Sequence, residues 1–468
     1  MTEQRSTPSS TTVLILVSVA SFMVALDALV VTTALPVMQA DLGAPIEALE
    51  WTVNAYNLCF AVLLLTGAAL GDRFGRRRVF VAGLTLFVAA SAACALAVNV
   101  GWLIAARAVQ GVGAALVMPL AMALLGAAFP PETRARALGI FSGITGLALI
   151  AGPVVGGAVA EGLAWQWIFW INVPIGLILV PLVGRGVEES HGTDTRLDVF
   201  GLVLVGGAAF GVVWGLVRAN MSGWTSPEVI ASLVLGLSLA AAFVIWERRT
   251  TGPMVPMRLF GARAFRSGNA ASFLYSASMY GVLFFMAQFF QTAQGNGPLA
   301  AGLRLLPWTA TLFVTAPIAG ALVNRIGERS LVVGGLILQA VGMTWIGLIA
   351  SPHTAYAAMV VPLIIAGCGV SMAMPAAQNA VLGSVADSEI GKASGTFNML
   401  RYLGGVLGIA VAVAVFAANG SLGSAQEFSN GFVVALYVSA TLSLAGAVAG
   451  LALPKRRIQM LRPVKANA

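Results

Sequence analysis

The 468-residue chain is predicted to be an all-α polytopic membrane protein, with about fourteen transmembrane helices in a 6+2+6 arrangement. Three observations predict this. Hydrophobic residues make up 59% of the chain and charged residues only 9%, with a mean hydropathy of +0.90; a soluble domain carries about 25% charge. Apolar runs near the ~20 residues that span a hydrocarbon core as a helix recur along the whole chain, too long and too poorly alternating for barrel strands. Basic residues gather in alternate connecting segments.

Polar punctuation places the runs near 12–36, 51–70, 79–98, 101–125, 138–160, 166–184, 198–218, 228–246, 267–290, 299–322, 331–350, 355–377, 393–417 and 432–453. The first run has no clear small-residue cleavage site and is read as a retained helix. With the N-terminus inside, the inner segments hold Arg73, Arg76, Arg77 and Arg78, then Arg134 and Arg136, then Arg185 and Arg196. Arg248, Arg249, Arg258, Arg263 and Arg266 follow, then Arg325, Arg329 and Lys392, and finally Lys455, Arg456, Arg457, Arg462 and Lys465. The outer segments "QADLGAPIEALE", "SPHTAY" and "NGSLGSAQEFSNG" contain no Lys or Arg. This asymmetry sets both ends on the cytoplasmic side.

Other classes fall away. Cys59, Cys94 and Cys368 have neither metal nor redox spacing, and no phosphate-binding G-x-x-x-x-G-K-[S/T] loop occurs. The net charge of +8 is accounted for by the inner loops and not by a nucleic-acid partner. No metal, cofactor or enzymatic activity is expected.

The two halves echo one another. "GDRFGRRRVFVAG" (71–83) aligns with "VNRIGERSLVVGG" (323–335), matching Asp72 with Asn324, Arg73 with Arg325, Gly75 with Gly327 and Arg77 with Arg329. The first copy follows span 2 and the second follows span 10, so two spans are inserted between six-span repeats. The expected organisation is a tail (1–11), a six-helix bundle (12–185), a two-helix insertion with its flanking loops (186–264), a second six-helix bundle (265–453) and a basic tail (454–468). Parallel repeats with a site between them are a transporter plan.

At this point the sequence resembles the major facilitator superfamily, and within it the fourteen-helix drug:proton antiporters of bacteria. "GAALGDRFGRRR" (67–78) is similar to the first inner-loop signature, "LIAARAVQGVGAAL" (103–116) to the fourth-helix signature and "GLALIAGPVVGGAVA" (146–160) to the fifth-helix antiporter signature. "LDALVVTTALP" (26–36) resembles the first-helix acidic motif, and "WQWIFWINVPIG" (165–176) is typical of the same branch. The resemblance implies the major facilitator fold, a monomer in the bacterial cell membrane and export of amphipathic, cationic or aromatic small molecules in exchange for protons. The proton gradient would be the energy source. The alternatives are a dedicated exporter of one self-made metabolite and a membrane signalling or lipid-handling protein that does not transport.

Asp27 is read as the one acid deep inside a span, and such a residue is a functional candidate by default. It lies ~22 Å from the inner end of span 1, and Arg107 lies ~9 Å from the outer end of span 4, at 1.5 Å per residue. In a core ~30 Å thick those depths coincide, so the two are expected to pair. The resemblance implies proton coupling for them; a structural ion pair is the alternative. Asp72 and Arg73, with Gly71 and Gly75, are expected to work a gate at the inner face. Gly146, Gly152, Pro153, Gly156 and Gly157 are expected to pack span 5 tightly. Candidate substrate contacts are Asn54, Asn57, Tyr275, Phe284, Gln288, Gln291, Asn398 and Arg401. Trp165, Trp167 and Trp170 are read as interfacial anchors.

Overall fold

The computed structural model describes residues 10–192, 197–386 and 389–455. Arg196, the tail as far as residue 9 and residues 456–468 lie outside them, as does the side chain of Asn324. Fourteen helices are long and apolar enough to cross a membrane. They are α1 (Ser10–Leu42), α2 (Ala48–Phe74), α3 (Arg76–Ala95), α4 (Val100–Ala128), α5 (Glu132–Gly162), α6 (Trp167–Gly186) and α7 (Val199–Ala219). The rest are α8 (Pro227–Arg249), α9 (Arg263–Ala293), α10 (Pro298–Val323), α11 (Arg325–Ile349), α12 (Tyr356–Leu382), α13 (Ile390–Asn419) and α14 (Ala425–Leu451). No strand occurs among the described residues. The face reached by α2 at Phe74 is the terminal face, since the first and last described residues, Ser10 and Lys455, lie toward it; the other is the distal face.

Local chemistry sets the breaks. The Asn99 side chain accepts from Trp102 N at 2.8 Å and starts α4. Asp198 does the same for α7, accepting from Gly201 N at 2.7 Å. Such caps satisfy backbone donors that the first helical turn leaves over. The distal end of α9 widens into a π-turn over Phe289–Ala293, which puts a kink before α10.

Within each six-helix bundle, glycines let backbones meet. A Cβ at Gly111 of α4 would come within 2.3 Å of Tyr56 O on α2, and one at Gly404 of α13 within 2.3 Å of Phe273 O on α9. In a lipid solvent this close approach is the main source of helix–helix attraction. The inserted α7 and α8 pack on each other through Gly211 and Gly236. Their apolar sides, with Leu204, Val205 and Val213, cover the α2 and α13 surfaces at Val62, Leu65, Met399 and Val406. They therefore stand outside the two bundles and span the seam between them. Arg218, at the distal end of α7, departs from the charge asymmetry; Glu228 of α8 holds it at 3.0 Å.

The sequence repeat reappears in the backbone. Gly75 and Gly327, aligned by the echo, both take positive φ, at 105° and 79°. Each reverses the chain between two antiparallel helices on the terminal face. Gly71 does not itself form the turn. It lies inside α2, where a Cβ would reach within 2.1 Å of the Leu120 side chain on α4.

A side chain at Gly75 faces both a forbidden φ and the Glu189 carboxyl, 2.7 Å from a built Cβ. Gly75→Ala is expected to cost about 1–3 kcal/mol and to lower the temperature of half-inactivation in detergent. Gly126, with nothing near its Cβ, is the control for substitution by Ala. Equal melting of the two variants would show that the turn carries no such strain.

Candidate functional site: a buried ion pair beside a central cavity

Asp27 and Arg107 meet in the middle of the first bundle. Arg107 Nη1 donates to Asp27 Oδ2 at 2.5 Å, and the two residues are 0% and 1% exposed respectively. The depth argument from the sequence thus corresponds to a direct contact between α1 and α4. The other carboxylate oxygen accepts from Gln110 Nε2 at 2.9 Å and from Asn172 Nδ2 at 2.8 Å. Gln110 also donates to Ser91 Oγ at 2.7 Å and accepts from Arg107 Nη1 at 2.7 Å. Arg107 Nε donates to the Thr52 carbonyl at 3.0 Å. Arg107 Nη2 has no hydrogen-bond partner, and the guanidinium lies 4.2 Å from the centre of the Tyr56 ring. A ring face is a favourable surface for a desolvated cation. Helices α1, α2, α3, α4 and α6 all contribute, so one charge pair ties most of the bundle together.

A cavity of about 300 Å³ lies between the bundles. Val24, Ala25, Ala28 and Leu29 of α1 line one wall, with Tyr56, Phe60, Met118 and Met122; Tyr275, Tyr280, Trp308, Met374 and Tyr402 line the other. Asp27 does not line it. Tyr56 stands between, with its ring on Arg107, its edge in the cavity wall and its hydroxyl donating to Val24 O at 3.2 Å. The cavity continues past Phe60, Asn398 and Arg401 into a vestibule of about 580 Å³. Asp72, Arg76 and Lys392 stand at its mouth, so it opens on the terminal face.

The distal face is closed by α5 against α10. A Cβ at Gly157 would lie 2.3 Å from Pro298 O, and one at Gly302 would lie 2.2 Å from Pro153 O. Gly152 and Gly156 face the same bundle instead, against Leu29 at 2.6 Å and Val30 O at 2.3 Å. Gly146 lies in the cavity wall. The fifth-helix run thus packs on α1 within its own half and on α10 across the seam. Glu161 Oε2 accepts from Leu299 N at 2.9 Å, and Gln291 Nε2 donates to Thr33 O at 2.8 Å, adding polar bonds to the closure.

Of the expected substrate contacts, Tyr275, Asn398 and Arg401 line the cavity. The other five lie elsewhere, because each already has a partner or a core position. Asn54 donates to Glu50 Oε1 at 2.8 Å, Gln288 to the Phe284 carbonyl at 2.7 Å and Gln291 to Thr33 in the distal closure. Asn57 is 4% exposed, and Phe284 packs edge-on to Phe285 with centroids 5.0 Å apart. Asn54 with Asn57, and Gln288 with Gln291, are spaced i, i+3 and so share a helix face, but that spacing does not say what covers the face. Of the expected anchors, Trp165 is buried and donates to Asp41 Oδ2 at 2.7 Å, while Trp167 is exposed.

At the terminal face Asp72 bonds Arg76 of its own loop at 2.8 Å. Arg73 lies against Phe74, 5.2 Å from its ring centre. The start of α3 is held by a residue the sequence did not single out. Glu189 accepts from Arg77 N at 2.9 Å and from Arg78 N at 3.2 Å, the usual place for an anion at a helix N-terminus.

The sequence also missed Ser91, Tyr56 and the role of Asn172, which sits inside the quoted "WQWIFWINVPIG" run as a lone amide in an apolar helix. Two further acids are buried, though not deep inside a span. Glu50 and Glu247 are 0% and 2% exposed, both at helix ends. The Glu50-to-Asn54 spacing of four is the signal that could have revealed the first.

A fold of two six-helix bundles about a central cavity, with a charge pair sunk in one bundle, defines a multi-pass membrane transporter. Comparison with known proteins gives the same class. The Major Facilitator Superfamily model matches residues 17–409 and 269–468, and the chain belongs to that superfamily. It is 35% identical over 399 residues to the multidrug resistance protein Stp of Mycobacterium tuberculosis (strain CDC 1551 / Oshkosh), covering 85% of this chain and 74% of that one. It is 33% identical over 408 residues to the tetracenomycin C resistance and export protein of Streptomyces glaucescens, covering 87% and 76%. Among solved structures, a POT family transporter in complex with a thioalcohol-conjugated peptide superposes with a TM-score of 0.70 at 14% identity, over 92% of this chain and 94% of that one. That likeness concerns the fold alone.

Two predictions follow from the ion pair and the closure. Removing one partner of a buried pair strands the other and costs about 3–5 kcal/mol. Asp27→Asn and Arg107→Gln are therefore each expected to lower stability in detergent, and the double variant to recover part of the loss. A double variant as unstable as the sum of the singles would mean that the contact contributes no coupling. Gly157→Val should wedge α5 from α10. A cysteine placed at Leu283 in the cavity wall should then react faster with a membrane-impermeant thiol reagent added at the distal face. An unchanged labelling rate would show that the closure does not depend on this contact.

Proposed function

We propose that the protein is a proton-driven antiporter that exports amphipathic small molecules, drugs and antibiotics among them, from a bacterial cytoplasm. Alternating access between the two six-helix bundles is the mechanism. The positive-inside rule orients the terminal face toward the cytoplasm. The structure then corresponds to the inward-open state, ready to load from the cytoplasmic side. The relatives named for multidrug resistance and for tetracenomycin C export support the direction of transport.

The single observation that carries proton coupling is the Asp27–Arg107 pair, buried in the bundle yet one residue from the cavity wall. Asp27 is followed on α1 by Ala28 and Leu29, which line the cavity, and Arg107 rests on Tyr56, which also lines it. A proton arriving at the Asp27 carboxyl removes the negative partner of Arg107. The guanidinium must then find other acceptors, and both α1 and Tyr56 shift against the substrate wall. Substrate and proton thereby bias the same packed element, which is the condition for coupling two sites. Asp72, with Arg73 and the Gly75 turn, works the inner gate, the vestibule mouth having to close around Asp72 and Arg76 in the outward-open state. The cycle needs no cofactor and is complete in a monomer embedded in the bilayer.

A second reading, a dedicated exporter of one metabolite, is favoured by the modest cavity of about 300 Å³. A panel of structurally unrelated compounds tested for efflux from cells separates the two readings.

In proteoliposomes with an imposed pH gradient, Asp27→Asn is expected to abolish gradient-driven transport while substrate still binds. Undiminished gradient-driven transport would take the carboxyl out of the proton path.

A further inference from the structure

The two intramembrane arginines are held in opposite ways. Arg107 has a carboxylate, two amide neighbours and a backbone carbonyl around it. Arg401, ~17 Å along α13 from its start at 1.5 Å per residue, has none of these. Its Nε is buried without a hydrogen-bond partner, and Nη1 has the sulfur of Met374 at 4.0 Å. The ring of Tyr402 lies 4.7 Å from the guanidinium, the neutral Tyr275 hydroxyl lies within hydrogen-bonding reach of it and Tyr280 is nearby. Among the described residues no carboxylate lies within ion-pairing distance of it. Arg401 is also the sole formally charged residue in the central cavity wall, which contains no Asp, Glu or Lys. The vestibule outside it, with Asp72, Asp198, Arg76 and Lys392, carries both signs and does not select by charge.

We propose that the central cavity selects amphipathic organic anions, with the acidic group of the substrate seated on Arg401 and its apolar body among the tyrosines and methionines. The proposal rests on the transporter reading above and names its substrate class. A planar guanidinium without a counter-ion is matched by a carboxylate or sulfonate in two parallel hydrogen bonds. Gln378, Asn398 and Ser371 in the same wall offer further polar contacts. A cationic substrate would meet a like charge and no acid. Charge balance follows. Exchange of n protons inward for one monoanion outward moves n+1 charges, so every such cycle is driven by an inside-negative membrane potential. For a monocation the figure is n−1, and a one-for-one exchange moves none.

The test uses two probes with one ring and fixed, opposite charges: naphthalene-2-sulfonate and 2-naphthyltrimethylammonium. Titration calorimetry on the purified full chain should show the sulfonate binding tighter than the ammonium. Arg401→Gln should weaken sulfonate binding by about tenfold to hundredfold, the range for a lost hydrogen bond to a charged group, and leave the ammonium no weaker. Arg401→Lys should retain part of the preference. Because Arg401→Gln could misfold, the ratio of the two probes on the unsubstituted protein is decisive by itself. Preference for the ammonium there, or an unchanged sulfonate affinity in a folded Arg401→Gln variant, overturns the proposal. Proteoliposomes under a pH gradient separate it from the transporter reading. Movement of the ammonium alone overturns anion selection and leaves export standing. Arg401-dependent sulfonate binding with no movement of either probe overturns export and leaves the anion site standing.

Discussion

A carboxylate and a guanidinium held in contact where neither meets water is the constraint on which the first bundle depends. Each charge alone would cost several kcal/mol in that setting, and even the pair needs its remaining hydrogen-bonding atoms satisfied. Asp27 and Arg107 therefore recruit Gln110, Asn172, Ser91, the Thr52 carbonyl and the Tyr56 ring, drawn from four helices. The bundle has a polar centre, and its helices cannot slide independently without breaking part of that centre. A change of protonation at one atom is for this reason felt by α1, α2, α4 and α6 together.

The two halves share a backbone plan and differ in chemistry. Both reverse at a positive-φ glycine, Gly75 or Gly327, between their second and third helices. Yet the second bundle fills its distal core with aromatic stacks, Phe285 on Phe416 and Phe289 on Phe432, each with centroids 4.5 Å apart. Arg401, deep in this bundle, lines the cavity with no carboxylate beside it among the described residues. The buried acid–base pair thus lies in one half, while the other contributes the charged side chain of the central cavity wall. The seam between them is narrow on the distal side because α5 and α10 have glycines where their backbones cross. It is capped along α2 and α13 by the inserted hairpin, none of whose helical residues lines the central cavity.

Composition, span length and loop charge determined the class of this protein and the number of its membrane helices. Those properties follow from local physics: a hydrocarbon core dictates about 20 apolar residues per crossing, and basic side chains mark one face. Asp27 and Arg107 were legible for the same reason, since a charge inside a span is rare enough to stand out and its depth can be counted along a helix. What surrounds them was decided only by tertiary structure. Asn172, Ser91 and Tyr56 carry no unusual signal in sequence, and they matter because α2, α3 and α6 bring them to one carboxylate. Asn54, Asn57, Gln288 and Gln291 show the converse. Their spacing marks a polar face, but each face turns toward a helix and not toward the cavity, because rotation about the helix axis is fixed by neighbours and not by the sequence of the helix itself. Depth along the helices already matched Arg107 with Asp27, but only the packing shows that Arg401 stands in the cavity wall with no carboxylate beside it among the described residues.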